Sequence, residues 1–242
     1  MDTVDSIYSR NHLRERVPFR RTRGTMSLHE SLLRFKAEGK TGIISEFKRK
    51  SPSGFNLGIE LGPCAYFSKS DLQNVAGLSI LTEPEEFKGS YEDLTSVQEL
   101  GLPILDKDFI STALMVENAY NAGADAVLLI LDFLGAEKVQ ELSTIALSHG
   151  MEALVEFHDL SLIRHLTPRK GIIYGYNRRN LRTLKMEPSE EEVMQQVNGQ
   201  GIEIILESGI DLSYLREHDV SQYLGMLIGT SILNGELPSG PH

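Results

Sequence analysis

The sequence contains no tryptophan and only one cysteine, Cys64, among its 242 residues. A single cysteine cannot form a disulfide within the chain, and it excludes a zinc site built from several cysteines. We therefore expect a reducing compartment, for which the cytoplasm is the simplest choice. The first residues also lack the basic and apolar segments of a signal peptide.

The chain also has no excess of positive charge and no long apolar run. The chain has 24 lysines and arginines against 34 aspartates and glutamates, which gives a formal net charge of −10. This balance argues against nucleic acid or an anionic membrane as the main partner. No apolar run approaches the ~18 residues that a membrane-spanning helix needs. A small anionic ligand is still compatible with the acidic chain, because a local basic cluster is enough to bind it.

From Gly42 onward the chain alternates short apolar, β-prone segments with helical segments. The strand segments lack polar alternation, which is typical of parallel strands that are buried on both faces. Strands are predicted at residues 43–47, 77–81, 104–109, 126–131, 153–157, 172–176, 202–206 and 226–228. Helices are predicted between them at residues 90–100, 112–122, 135–149, 159–166, 189–197 and 211–217.

The eight predicted strands recur about every 26 residues. This spacing is close to the length of one βα unit in a barrel of eight such units, which is ~30 residues. A doubly wound open sheet is the competing α/β architecture. It usually has fewer strands and a glycine-rich first turn, and the chain has neither a G-x-G-x-x-G motif nor a P-loop. The pattern therefore predicts an α/β fold, a (β/α)8 TIM barrel formed as one domain over residues 1–242.

Residues 1–40 precede the first strand and are predicted to form an N-terminal helical extension. Its helices are expected at residues 4–13 and 27–38, where apolar side chains recur at helical spacing. The segment between them, residues 14–24, is rich in arginine. It fits either a solvated connector, which we favour, or a contact with phosphate.

In a barrel of this class the carboxyl ends of the strands carry the catalytic groups. Several carboxylates and two lysines directed at one opening are unfavourable unless they are paired or used. For Glu46 and Lys48 alone, a simple salt bridge at the strand end is an equally good explanation. The polar strand-end residues are Glu46, Lys48, Ser79, Lys107, Asp108, Asp132, Glu156, Asn177, Arg179, Glu207 and Ser208.

Two loops have the composition of phosphate-binding segments, Ser208-Gly209-Ile210-Asp211 and Ile228-Gly229-Thr230-Ser231. They follow the seventh and eighth predicted strands, where barrels of this class commonly bind phosphate. Glycine allows backbone N–H groups to approach an anion closely. The alternative is an ordinary glycine turn with a serine or threonine cap.

Taken together, motifs from about residue 25 to 233 resemble the indole-3-glycerol phosphate synthase family, the ring-closing decarboxylases of tryptophan biosynthesis. The most specific are Glu46-Phe47-Lys48-Arg49-Lys50-Ser51-Pro52-Ser53 and Lys107-Asp108-Phe109. Further matches are Leu78-Ser79-Ile80-Leu81-Thr82-Glu83, Phe87-Lys88-Gly89-Ser90, Leu154-Val155-Glu156, Gly175-Tyr176-Asn177-Arg178-Arg179-Asn180-Leu181 and Glu207-Ser208-Gly209-Ile210.

The resemblance implies the substrate 1-(2-carboxyphenylamino)-1-deoxyribulose 5-phosphate, and no metal or organic cofactor. Lys107 resembles the general acid of ring closure, Glu156 the general base of dehydration, and Lys48 a lysine that contacts substrate and supplies the second proton. Further residues that resemble orienting groups are Glu46, Asn177 and Glu207.

The resemblance also implies where the parts of the substrate bind and how the protein is organised. The set that resembles the carboxylate- and phosphate-binding residues is Ser51, Arg179, Ser208, Gly209, Gly229 and Thr230. The set that resembles the apolar wall around the anthranilate ring is Phe87, Phe109, Leu128 and Leu181, and core packing explains each of these side chains nearly as well. Residues 1–40 are expected to cap the active-site opening. The phosphorylated small molecule is the expected partner, and we expect a monomer or a weak homo-oligomer.

Other barrel enzymes are the alternatives. A phosphoribosylanthranilate isomerase needs no decarboxylation, and an aldolase would use Lys107 as a Schiff-base nucleophile. A catalytically silent barrel is a third possibility, although intact Lys48, Lys107 and Glu156 argue against it. His158 is interpreted as a surface residue. The sequence after Ser231 does not predict a clear eighth helix.

Overall fold

The computed structural model describes residues 3–52, 54–57 and 62–229. Eight parallel strands form a closed barrel, in which each strand pairs with the next and the last pairs with the first. The predicted (β/α)8 TIM barrel is therefore confirmed. The strands are β1 (Gly42–Phe47), β2 (Val75–Ile80), β3 (Ile104–Asp106), β4 (Ala126–Ile130), β5 (Glu152–Phe157), β6 (Ile172–Asn177), β7 (Ile204–Glu207) and β8 (Gly225–Ile228).

Helices precede the barrel and connect its strands. None of those in the described ranges is long and apolar enough to cross a membrane. They are α1 (Thr3–Arg10), α2 (Leu28–Ala37), α3 (Pro63–Phe67), α4 (Tyr91–Ser96), α5 (Ala113–Ala122), α6 (Leu131–Ser148), α7 (Glu190–Asn198) and α8 (Leu212–Glu217), with 3₁₀ turns at Asn11–Leu13, Gln98–Leu100 and Leu160–His165.

The structure corrects several predicted boundaries. The segment 159–166 forms a 3₁₀ turn instead of an α-helix, and α3 was not predicted. Helix α6 already begins at Leu131, but it is interrupted at Gly135, where φ is 73°. The strand predicted at residues 104–109 ends at Asp106. Whether a helix follows β8 lies outside the described residues.

Two apolar layers account for the packing of the barrel. In β4, Ala126, Leu128 and Ile130 belong to the cluster that fills the barrel interior. Val127 and Leu129 belong to the cluster between the strands and the surrounding helices. Because successive side chains of a strand point to opposite faces, one continuous apolar segment supplies both layers.

Helix α2 closes the amino end of the barrel, opposite the predicted active site. An added Cβ atom at Gly42 or Gly225 would lie 2.9 or 2.5 Å from Leu32, and one at Gly77 would lie 2.5 Å from Leu28. A side chain at any of these three strand positions would therefore force the leucines of α2 to shift. Ser27 caps the helix by accepting a hydrogen bond from the backbone N–H of Glu30.

The arginine-rich segment 14–24 is partly solvent-exposed, with 64% of the Arg16 side chain accessible, but three of its arginines contact buried aspartates, so it is more than a solvated connector. The contact with phosphate stays a prediction. Arg14 lies 2.9 Å from a carboxylate oxygen of the fully buried Asp108. Arg21 lies 2.6 Å from Asp125, and Arg23 contacts the same carboxylate. Removing one partner of a buried ion pair typically costs about 3–5 kcal/mol. The segment is thus bound along α5 and to the residues that follow β3 and precede β4.

Asp106 lies beside this segment, on the outer face of β3. Thr82 donates a hydrogen bond of 2.6 Å to its Oδ1 atom, whereas its Oδ2 atom has no partner among the described residues. Burial raises the pKa of Asp106 to about 8, and the neighbouring Asp108 contributes to this rise. The carboxyl group therefore keeps its proton to a higher pH than an aspartate in the unfolded chain.

This raised pKa predicts a pH-dependent stability. The folded state binds a proton that the unfolded state has lost, so the free energy of unfolding falls as the pH rises from about 4 to about 8, by up to ~1.4 kcal/mol per pH unit. Asp106→Asn should flatten this dependence in urea unfolding between pH 5 and pH 8. The exposed Glu99→Gln is the control and should retain the wild-type slope. Equal slopes in all three proteins would contradict the assignment.

Candidate active site

A cavity of about 370 Å³ opens at the carboxyl ends of the strands. All residues to which the family resemblance gives a role line it within the described ranges, whereas Thr230 lies outside those ranges. Of the other polar strand-end residues, Ser79, Asp108 and Asp132 do not line it. The lining includes Glu46, Lys48, Ser51, Phe87, Lys107, Phe109, Leu128, Glu156, Asn177, Arg179, Leu181, Glu207, Ser208, Gly209 and Gly229.

The alternation of strand side chains explains why polar groups reach this cavity. Leu154 and Ile205 point into the barrel interior, and two residues later Glu156 and Glu207 point the same way. The strands end there, so the carboxylates lie on the floor of the cavity. Lys107 follows the inward-facing Leu105 in the same manner.

Lys107 contacts two carboxylates at the centre of the floor. Its Nζ atom lies 3.1 Å from Glu156 and 2.9 Å from Glu207. Asn177 donates a hydrogen bond of 2.8 Å to the other oxygen of Glu156. All four side chains are nearly inaccessible, with 11% of the Lys107 side chain exposed.

The charges of this group act strongly on one another. Burial alone would lower the pKa of Lys107, but the nearby carboxylates, Glu156 first, outweigh burial and raise that pKa well above its ordinary value. Burial raises the pKa of Glu207 and Glu156 adds to this rise, while the adjacent Lys107 ammonium opposes it. The site therefore favours a charged Lys107.

Gly175 on β6 makes room for this arrangement. A Cβ atom at this position would overlap the Oε1 atom of Glu207. Any side chain at position 175 would therefore displace the carboxylate that contacts Lys107.

A second ion pair lies on β1. Lys48 is 2.5 Å from Glu46, so the strand-end salt bridge is present, and both residues also line the cavity. Burial alone would raise the pKa of Glu46, but Lys48 and Lys107 lower it. The Lys48 side chain is 23% exposed, and it is thus more accessible than Lys107.

One side of the cavity is apolar. The rings of Phe87 and Phe109 are 5.8 Å apart. Phe87, Phe109, Leu128 and Leu181 all contact the interior cluster of the barrel, and they also line the cavity. The same four side chains therefore pack in the barrel core and line the cavity.

Ile130 and Leu227 are two of the apolar lining residues that were missed by the sequence analysis. Ile130 lies two residues after the inward-facing Leu128 on β4, and Leu227 lies two residues after Gly225 on β8. Both belong to the interior cluster of the barrel. The alternation of side chains along a strand was therefore the signal that could have found them.

The opposite side carries the loops after β7 and β8. Ser208 and Gly209 have positive φ angles of 71° and 65°. The N–H groups of Gly209 and Ile210 have no acceptor among the described residues. A Cβ atom on Gly229 would lie 3.4 Å from Nζ of Lys48, so this glycine brings the backbone close to the lysine. Ser208 donates a hydrogen bond of 2.7 Å to Asn177.

Only the first part of the N-terminal extension lies at this opening. Thr3, Val4 and Ile7 of α1 line the cavity, and Tyr8 stacks on Phe133 with a centroid distance of 5.6 Å. Helix α2 lies at the other end of the barrel. Helix α1 therefore lies at the opening and α2 does not, and a capping role of residues 1–40 stays a prediction.

His158 is half-buried, with 17% of its side chain exposed, so its interpretation as a surface residue holds only in part. Its ring nitrogen Nδ1 lies 2.8 Å from the backbone carbonyl oxygen of Asn177. A carbonyl oxygen only accepts, so the ring must donate this bond. Asp132 accepts hydrogen bonds from the backbone N–H groups of His158 and Asp159. These contacts join the ends of β4, β5 and β6 around Glu156, and adjacency to Glu156 was the only sequence signal for them.

A closed (β/α)8 barrel with lysines, carboxylates and glycine loops at its carboxyl end defines a class of barrel enzymes that act on phosphorylated small molecules. The family model of indole-3-glycerol phosphate synthase matches residues 2–238. The chain belongs to this family, and it is a carboxy-lyase of tryptophan biosynthesis. The isomerase and the aldolase are thereby excluded as its family.

Curated relatives support the same assignment. The indole-3-glycerol phosphate synthase of Picrophilus torridus is 41% identical over 96% of this chain and 92% of its own. That of Thermoplasma acidophilum is 40% identical over 95% of this chain and 93% of its own. Among solved structures, the tryptophan synthase subunit alpha of Legionella pneumophila matches with a TM-score of 0.59 and 13% identity, covering 85% of this chain and 87% of that chain. This last similarity concerns the fold alone.

The position of α1 at the opening predicts a loss of function when the helix is deleted. Deletion of residues 1–10 exposes the apolar wall, so kcat/KM should fall at least about tenfold, which corresponds to ~1.4 kcal/mol. The melting temperature should also fall, because Val4 and Ile7 are buried, but by less than after the longer deletion that follows. Deletion of residues 1–26 also removes Arg21 and Arg23 from Asp125, and it should destabilise the barrel. An unaltered kcat/KM in the shorter deletion would show that α1 has no part in binding.

Proposed function

We propose that the cavity binds 1-(2-carboxyphenylamino)-1-deoxyribulose 5-phosphate and closes its indole ring with loss of CO₂ and water. The apolar side supports binding of the anthranilate ring, since an aromatic ring needs such a surface. The unpaired N–H groups of the loop after β7 support binding of the phosphate at the opposite side. The proposed carboxylate and phosphate contacts are Ser51, Arg179, Ser208, Gly209, Gly229 and Thr230.

The observation that carries the proposed mechanism is the Lys107 ammonium between Glu156 and Glu207. During ring closure negative charge develops on the substrate carbonyl oxygen, and a general acid must protonate it. The carboxylates keep Lys107 charged, so it has a proton to donate. The same charge prevents attack as a neutral amine, which Schiff-base chemistry requires.

After CO₂ has left, dehydration requires a base and a second acid. We assign the base to Glu156, whose 3.1 Å contact with Lys107 provides a direct route for returning the proton to the lysine. We assign the second proton to Lys48, which is more exposed and can recover a proton from water. The reaction consumes one proton overall, because a carboxylate leaves as CO₂. Glu46, Asn177 and Glu207 orient these groups.

The remaining expectations concern the setting of the reaction. Acid–base transfer and anion binding are sufficient for each step, so we propose that no metal or organic cofactor takes part. The free Cys64 supports a reducing, cytoplasmic location. A monomer or a weak homo-oligomer is proposed on the acidic net charge of −10, which favours repulsion between copies.

Replacement of Lys107 tests the general acid. Lys107→Met should abolish formation of the indole product, and Lys107→Arg should fail too, because a guanidinium holds its proton too tightly to donate it. The chain has no tryptophan, so indole fluorescence reports product without protein background of that kind. CO₂ release should stop in parallel. A borohydride-reduced substrate adduct on Lys107 of the unmodified protein would overturn the assignment.

Replacement of Glu156 tests the general base. Glu156→Gln should lower kcat by roughly 10²–10⁴, the usual contribution of such a group, with little change in KM. The control is Glu191→Gln, which removes an exposed carboxylate from α7 and should leave both constants unchanged. Near-native turnover of Glu156→Gln would show that Glu156 is a structural partner of Lys107 and not the general base.

A further inference from the structure

The loop after β7 has a backbone conformation that serine does not favour. Ser208 and Gly209 both lie in the left-handed region, with φ angles of 71° and 65°. Glycine adopts this conformation freely, whereas a residue with a side chain does so at a cost. Some contact must therefore stabilise the loop at Ser208.

Arg178 supplies such a contact. Its Nη1 atom donates hydrogen bonds to the carbonyl oxygens of Ser208, at 3.3 Å, and of Gly209, at 3.1 Å. Within a peptide unit the C=O and N–H groups point in opposite directions. Holding these two carbonyl groups towards Arg178 turns the N–H groups of Gly209 and Ile210 away from it. These are the N–H groups without an acceptor among the described residues.

Arg178 is itself fixed from two helices. Its Nε atom lies 2.7 Å from the carboxylate of Glu190, at the start of α7. Its guanidinium lies 4.5 Å from the ring centre of Tyr214, in α8. Only 11% of its side chain is exposed. The neighbouring Arg179 lines the cavity, whereas Arg178 does not.

We propose that Arg178 is a positioning residue for the substrate phosphate, acting through the backbone of Ser208 and Gly209. It does not touch the substrate, and Glu190 balances its charge. It holds the loop in the conformation that presents two N–H groups to an anion. This inference rests on the proposed phosphate site at the same loop.

Arg178→Met tests the proposal, because it removes the donors and keeps an apolar chain over Tyr214. We expect KM for the substrate and the inhibition constant of inorganic phosphate to rise together by at least about fivefold, while kcat changes less than about twofold. Arg178→Lys retains one donor and should recover part of the loss. Arg216→Met removes an exposed arginine from α8 and should leave all three constants unchanged.

Two further variants make every outcome informative. Glu190→Gln weakens the hold on Arg178 without removing its donors. It should therefore raise KM and the inhibition constant of phosphate by less than Arg178→Met does. If Arg178→Met does not fold, Glu190→Gln and Arg178→Lys together test the proposal. Gly229→Asp places a charge at the phosphate site itself. If Gly229→Asp raises KM and the inhibition constant of phosphate, but the substitutions of Arg178 and Glu190 raise neither, the proposed role of Arg178 is wrong. If Gly229→Asp also has no effect, the proposed phosphate site is wrong.

Discussion

The arrangement of the cavity floor depends on the buried positive charge of Lys107. Glu156 and Glu207 both contact this ammonium, and burying two carboxylates so close together without a cation would be costly. Asn177 extends the group, because it donates to Glu156 and accepts from Ser208. The centre that we assign to proton transfer is therefore joined by direct hydrogen bonds to the loop that we assign to the phosphate.

The chain before β1 joins both ends of the barrel. Helix α1 lies at the opening and α2 lies at the amino end. The arginines between them bind Asp108, which follows β3, and Asp125, which precedes β4. One of those aspartates, Asp108, directly follows Lys107 and also accepts a hydrogen bond from the backbone N–H of Phe109. The position of the extension is thus coupled to the strand end that carries the proposed acid.

Three contacts around the cavity act on backbone atoms. His158 donates to the carbonyl of Asn177, Asp132 accepts from the N–H groups after β5, and Arg178 donates to two carbonyls after β7. Each joins the end of one strand to the end of another. Such contacts limit the movement of the groups that face the substrate, and orientation of reacting groups is a large part of catalysis.

The sequence by itself determined the barrel and most of the lining of its cavity. Side chains two residues apart on a strand point to the same face. Lys107, Glu156 and Glu207 therefore face inward, because each lies two residues after an inward-facing apolar residue. The tertiary structure alone decided the partners of Arg21, which binds Asp125 across 104 positions, and of Arg178 and His158, which bind backbone carbonyls. These contacts leave no periodic pattern in the chain, since they depend on how separate loops meet in space.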